Sequence, residues 1–148
     1  MLKFKVVGRN IPKWQKELRA LGKLDKVVRV KTLHERVGEL LVKQLLDNMA
    51  QEKHGRVYYS PALKRSYTAS APGEAPAIVT GNLASSTMFT ARGDTLEVGY
   101  QAEYGKFLEE GTKRMAKRPN IITLGKTAFP LYQTFIDNEL ASLGLTKR

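Results

Sequence analysis

The sequence predicts an α+β fold in which a long amino-terminal helix and a carboxyl-terminal helix pack on a small, mainly antiparallel sheet, with a long extended loop between them. Three observations predict it. Over residues 25–53, apolar side chains fall at Val27, Val30, Leu33, Val37, Leu40, Leu41, Leu45 and Met49, in steps of three and four that define one helical stripe. Near the other end Phe129, Tyr132, Ile136, Leu140 and Leu143 repeat that spacing. Between the two, residues 86–91 and 95–100 read as strands, with Gly93-Asp94 as a tight hairpin turn.

The elements follow in order. Leu2, Phe4 and Val6 alternate with Lys3 and Lys5 up to Gly8, a short half-buried strand. Pro12 can sit in a first helical turn, and Trp14, Leu18 and Leu21 then give a short helix stopped by Gly22. Gly38 interrupts the long stripe, at about 1 kcal/mol relative to alanine, and marks a bend or a close neighbour. Residues 80–83 read as a turn or a short helix, which Thr80 or Asn82 can cap. Residues 102–110 read as a short helix ended by Gly111. Ile121, Ile122 and Leu124 form a strand or a buried connector before Gly125. Pro130 is tolerable only near a first turn, which puts the start of the last helix at about Ala128.

At 148 residues, the chain is expected to be a single domain over 1–148, long enough to bury a core. With no cysteine, disulfides, thiol nucleophiles and zinc–cysteine sites are excluded. No apolar run reaches the roughly 20 residues of a membrane helix, and the amino terminus does not read as a signal peptide. The expectation is a soluble intracellular protein with no membrane partner. The net charge is +11, and its distribution is uneven: residues 1–65 hold 16 Lys/Arg against 6 Asp/Glu, residues 66–148 hold 9 against 8. A basic face of this kind attracts phosphate backbones or acidic protein surfaces.

Residues 54–82 contain His54-Gly55, Ser60-Pro61, Pro72-Gly73 and Pro76, all chain breakers. A structureless loop this long is usually functional or disordered. Arg56, Lys64 and Arg65 are interleaved with Tyr58, Tyr59 and Tyr67, and Thr80, Gly81 and Leu83 close the stretch. Such mixing serves protein interfaces, where tyrosine and arginine are enriched, and also single-stranded nucleic acid. No recognised nucleic-acid motif accompanies it, which favours partner contact.

Catalytic chemistry is absent from the pattern. His34 and His54 have no metal-ligand spacing, and no metal or cofactor is expected. Glu109 and Glu110 are neighbours and do not share a helix face, so they do not form an acid/base pair. Gly105 to Lys113 does not have the order of a phosphate loop, GxxxxGKS/T. The segment 111–119 offers a sharp turn at Gly111-Thr112 and a projecting basic loop. Arg118 can bond a carboxylate, Glu109 or Glu110 of the same or a neighbouring subunit. Pro119 fixes the exit.

Two stretches resemble a known family. One is Pro72-Gly73-Glu74-Ala75-Pro76 followed by Thr80-Gly81, Leu83, Ser85 and Ser86. The other is Tyr104-Gly105, Phe107, Glu109 and Gly111-Thr112, followed by Met115-Ala116 and Arg118-Pro119. In this order they resemble the tail-component family of tailed bacteriophages, and a looser likeness covers residues 30–143. The chain departs from the family pattern after Arg118-Pro119. Asn120 stands where an aromatic residue is usual, residues 121–126 lengthen the route to the last helix, and Glu110 replaces an apolar residue or glycine.

The resemblance implies a non-enzymatic virion protein, assembled in the host cytoplasm and located in the neck at the head-proximal end of the tail. It would form a homomeric ring, commonly a hexamer, that completes or terminates the tail tube and docks to the head–tail connector or stopper. DNA would pass through the lumen without sequence specificity. Tyr104, Gly105, Phe107, Glu109, Gly111, Thr112, Arg118 and Pro119 would be the assembly motif, and the residues of the 54–82 stretch an interface loop. The competing class is a basic nucleic-acid-binding domain of non-viral type, built on the positive first half.

Overall fold

The structure, a computed structural model, describes residues 3–7, 16, 19, 22, 24–92, 95–142 and 144. It is an α+β arrangement with two small antiparallel sheets. Strands β1 (Lys3–Val7), β4 (Thr87–Arg92) and β5 (Thr95–Tyr100) form the larger sheet in the order β1-β5-β4. Phe4 and Phe89 both lie opposite Val98 in the ladders. Leu96, Val98 and Tyr100 alternate onto one face of β5 and are buried. The expected turn at Gly93-Asp94 and the expected helix over Trp14, Leu18 and Leu21 lie outside the described residues.

Helix α1 (Leu24–Ala50) lies against β4 and β5. Leu33, Val37, Leu41, Leu45 and Met49 form its buried line, spaced at four. Leu40, which the sequence places in the stripe, is 56% exposed, because it stands about 100° around the helix from Leu41. Gly38 is where the helix meets the sheet most closely: a Cβ there would run into the Phe89 ring. The close neighbour accounts for the glycine.

Helix α4 (Ile121–Ser142) corrects the expected start at Ala128. It runs through Gly125, and Pro130 lies in its interior, where the lost N–H and the ring cost about 3 kcal/mol in an ordinary helix. Two features offset that cost. Ile121, Leu124, Ala128 and Tyr132 make one buried line against the core, and the first turn is capped by a buried carboxylate described below.

Residues 54–82 also differ from the expectation of one extended loop. Strands β2 (Val57–Ser60) and β3 (Arg65–Thr68) pair as a hairpin. Val57, Tyr58 and Tyr59 are strong strand formers, and the Ser60-Pro61 breaker falls in the turn, where Lys64 takes φ 49. The ladder is prolonged by Gly55 N–H to the Ala69 carbonyl and Ala69 N–H to the Arg56 carbonyl, each 2.9 Å. A Cβ at Gly55 would run into that backbone. Residues 69–81 then run without helix or strand into α2 (Asn82–Ser85). Gly81 occupies its cap position with φ 82, and Leu83 is buried. The turn before it is tied by Asn82 N–H to Thr80 Oγ1 at 3.4 Å. Helix α3 (Gly105–Glu110) is shorter than the 102–110 expected.

Candidate functional site

The face of interest is built from three pieces: the β2–β3 hairpin, the segment 69–81 and the segment 104–119. Its rigidity begins with Glu109. This side chain is fully buried and accepts hydrogen bonds from three successive backbone amides. Asn120 N–H reaches both oxygens at 3.0 Å, Ile121 N–H reaches Oε1 at 2.7 Å and Ile122 N–H reaches Oε2 at 3.2 Å. These are the orphan donors of the α4 amino terminus, so a negative group from α3 satisfies them and meets the positive end of the helix dipole. Tyr100 also donates its hydroxyl to Glu109 Oε1, at 3.3 Å. Burial, and then the charge of Glu109, push the Tyr100 phenol well above its ordinary pKa.

Asn120 completes the joint. Its Nδ2 donates to the Leu45 carbonyl at 3.1 Å and its Oδ1 accepts from Asn48 Nδ2 at 3.0 Å. Asn120 thus ties the start of α4 to α1, and Arg36 Nη1 on Glu139 Oε2 at 3.1 Å ties the two helices further along. The Asn120 amide can bond two partners there, where an aromatic ring could only pack.

Gly111 ends α3 with φ 77 and ψ 178, a backbone region populated almost only by glycine. A Cβ there would also lie 2.9 Å from Lys117 N and from the Met115 carbonyl oxygen. Thr112 closes the tip: its N–H donates to the Met115 carbonyl at 2.8 Å, and its Oγ1 accepts from Met115 N–H at 3.1 Å. Arg118 corrects an expectation. It bonds neither Glu109 nor Glu110 of its own chain. Its Nε donates to the Ser70 carbonyl at 3.1 Å and its Nη1 to the Ala116 carbonyl at 3.2 Å, while its backbone N–H meets the Leu108 carbonyl at 2.6 Å. Glu109 is occupied by the helix start, and the guanidinium fork instead bridges two backbone carbonyls.

The 69–76 turn has its own clasp. Glu74 Oε2 accepts from Ala71 N–H at 2.7 Å and His54 N–H at 3.2 Å, and Glu74 Oε1 lies 2.7 Å from His54 Nδ1. These bonds, that of Ala71 first, hold the Glu74 carboxyl down to about 2. Gly73 N–H donates to the Lys117 carbonyl at 3.1 Å. Together with Arg118 on Ser70, this joins the two segments that carry the family likeness, over 40 residues apart in the chain.

The two faces of the hairpin differ. Tyr58 and Tyr67 lie opposite each other with ring centroids 6.0 Å apart and line a groove of about 650 Å³. Val57 and Tyr59 alternate onto the other face and are 67% and 64% exposed. Of the remaining interface-loop residues, Arg56, Lys64 and Arg65 are exposed, and Arg65 Nη2 reaches the Val79 carbonyl at 3.3 Å. Thr80, Gly81 and Leu83 also line the groove. Of the assembly-motif residues, Tyr104 at the cap of α3 and Phe107 on it are exposed, Thr112 is exposed at the tip, and Pro119 is half-buried. Gly105 is buried because a Cβ would stand 2.7 Å from the Tyr100 ring.

Sequence reasoning brought the two motif segments out but missed three roles: Glu109 as a helix cap, Asn120 as a helix–helix tie and Glu74 with His54 as a turn clasp. The first left a trace, since a carboxylate ahead of a helix that carries Gly125 and Pro130 is a capping signal. It was hidden by the distance in sequence from Glu109 to Ile121. No protein family, curated protein or solved structure matches this chain.

Proposed function

We propose that this chain is a structural virion protein of the phage neck, a ring-forming tail-completion or tail-terminator subunit. It joins the tail tube to the head connector while DNA passes through the lumen. The observation that supports this reading is the joining of the two motif segments, through Gly73 to Lys117 and Arg118 to Ser70, into one rigid exposed face. Tyr58 and Tyr104 border its groove, and Tyr59, on the other face of the hairpin, and Phe107 on α3 are exposed as well. Large exposed aromatic side chains mark interaction surfaces. A ring needs head-to-tail contacts between unlike surfaces, and the hairpin offers two such faces. The chain works by holding its neighbours, and lumenal DNA is met electrostatically without sequence readout.

Imaging of assembled particles tests it. The expected result is a closed homomeric ring of this chain, hexameric, between the tail tube and the connector. A single copy per particle, or a position away from the neck, overturns the reading.

The +10 charge of residues 1–65 supports a second reading, a nucleic-acid-binding domain of non-viral type. It requires a monomer whose DNA affinity falls steeply with salt. A gel-shift series across salt separates the two: tight, salt-sensitive binding by the monomer favours the second, and weak or no binding favours the first.

A further inference from the structure

We infer that the groove between the hairpin, residues 69–81 and the 111–119 loop is the seat of an acidic, extended segment of another protein. Three walls define it: Tyr58 and Tyr67 on the hairpin, Ile78 and Thr80 on the second, Tyr104 and Met115 on the third. Arg114 and Arg118 line it as well, and no carboxylate is among its described lining residues. Arg118 is fixed by two backbone carbonyls, so its charge stands at a set place. Arg114 is exposed on the tip held by Thr112. The groove thus offers apolar and aromatic walls with two cations, which suits a segment that inserts an apolar side chain and flanks it with carboxylates.

Charge decides among the occupants. The hairpin of a second copy brings Arg56, Lys64 and Arg65, of the same sign as the groove, and like charges brought together cost affinity. Single-stranded nucleic acid is held by a run of cations tracking its backbone. Here the described lining holds two cations, Arg114 and Arg118, and is otherwise largely apolar, with Pro72, Pro76, Ala77 and Ala116 among it. An acidic polypeptide meets both the charge and the apolar walls. The inference rests on the neck reading only in placing that segment on an adjoining ring, since the preference of the groove belongs to the free chain.

The experiment is selection of short random peptides, displayed on yeast, against the whole purified chain at near-physiological salt. Selected peptides are then measured by fluorescence anisotropy against the native protein, Arg114→Glu and Ile78→Asp. The expected outcome is enrichment of sequences pairing Asp or Glu with a large apolar residue, and roughly tenfold or greater loss of affinity in both variants. Circular dichroism confirms that the exposed-site variants stay folded. Enrichment without acidic bias, affinity unchanged by either variant, or displacement of the peptides by equimolar oligothymidylate each overturns the inference. Arg114→Glu protein that loses the peptides yet forms rings in particles leaves both proposals standing as separate facts. Acidic-peptide binding by a chain found away from the neck leaves the groove and removes the ring.

Discussion

The segment 109–120 and the hairpin 57–68 stand on the same face but are held in opposite ways. The first is fixed from inside. Glu109 places both oxygens on backbone amides, Asn120 bonds two residues of α1, and Gly111 takes a conformation that side chains reject. The second is held by its own ladder, one tyrosine pair and Arg65 on Val79, and leaves Val57 and Tyr59 in solvent. The two regions are therefore built from different kinds of residue, polar in one and aromatic in the other. Hydrogen-bonded polar groups build the frame, and the hairpin leaves apolar groups exposed.

Substitutions should separate the two regions by kind of effect as well as by size. The largest loss is expected at Glu109. Glu109→Gln keeps the shape but turns an amide donor toward backbone donors, leaving buried N–H groups unpaired. A loss of roughly 2–4 kcal/mol in denaturant unfolding follows, with α4 fraying at its start. A loss below about 1 kcal/mol would mean that Glu109 is not the cap. Gly111→Val should cost roughly 1–3 kcal/mol from the backbone conformation alone. Because the tip is displaced, this variant should stay soluble but fail to complement a phage lacking the gene, and Arg118→Lys, at about 1 kcal/mol, should fail likewise. Normal infectious particles from both would make the loop an ordinary turn.

Much of the frame was legible before the structure. Strands β4 and β5 fall within a residue of the strand-like runs on either side of Gly93-Asp94, and Gly111 stands out by its place after a helical run. The start of α4 was not legible. Local rules read Pro130 as a boundary, whereas the deciding group, Glu109, acts across the intervening loop. The hairpin was missed because Pro61 and Gly55 were weighed as breakers, when they lie in the turn and at the mouth of a short ladder. The contact of Arg118 with Ser70 could not be read either, since backbone carbonyls leave no mark in a sequence.

The smaller effects lie on the hairpin side. Val57→Ser with Tyr59→Ser should change stability by less than about 0.5 kcal/mol, since both side chains are exposed. Ring assembly, seen by negative-stain imaging with the partner rings, should be lost. Intact rings would place the interface elsewhere. The smallest effect concerns Glu74. Its carboxyl is held down to about 2 from an ordinary 4.5, so its contribution is fully present above about pH 4.5 and fades as pH falls toward 2. Amide exchange at Ala71 should accelerate over that window in the native protein. It should already be fast at neutral pH in Glu74→Gln. Equal exchange at pH 6 in the two proteins would show that the clasp does not hold the turn.

The closed geometry at the base of the 111–119 loop has one further consequence. Arg118 N–H on Leu108 and Glu109 on residues 120–122 pin both ends of the loop, and Thr112 pins its tip. A partner that lands there meets chain already ordered, so little conformational entropy remains to be lost on association. Contact with this loop should therefore carry a small entropic penalty, and contact with the hairpin a larger one. In calorimetry, the two halves of one interface would carry different signatures.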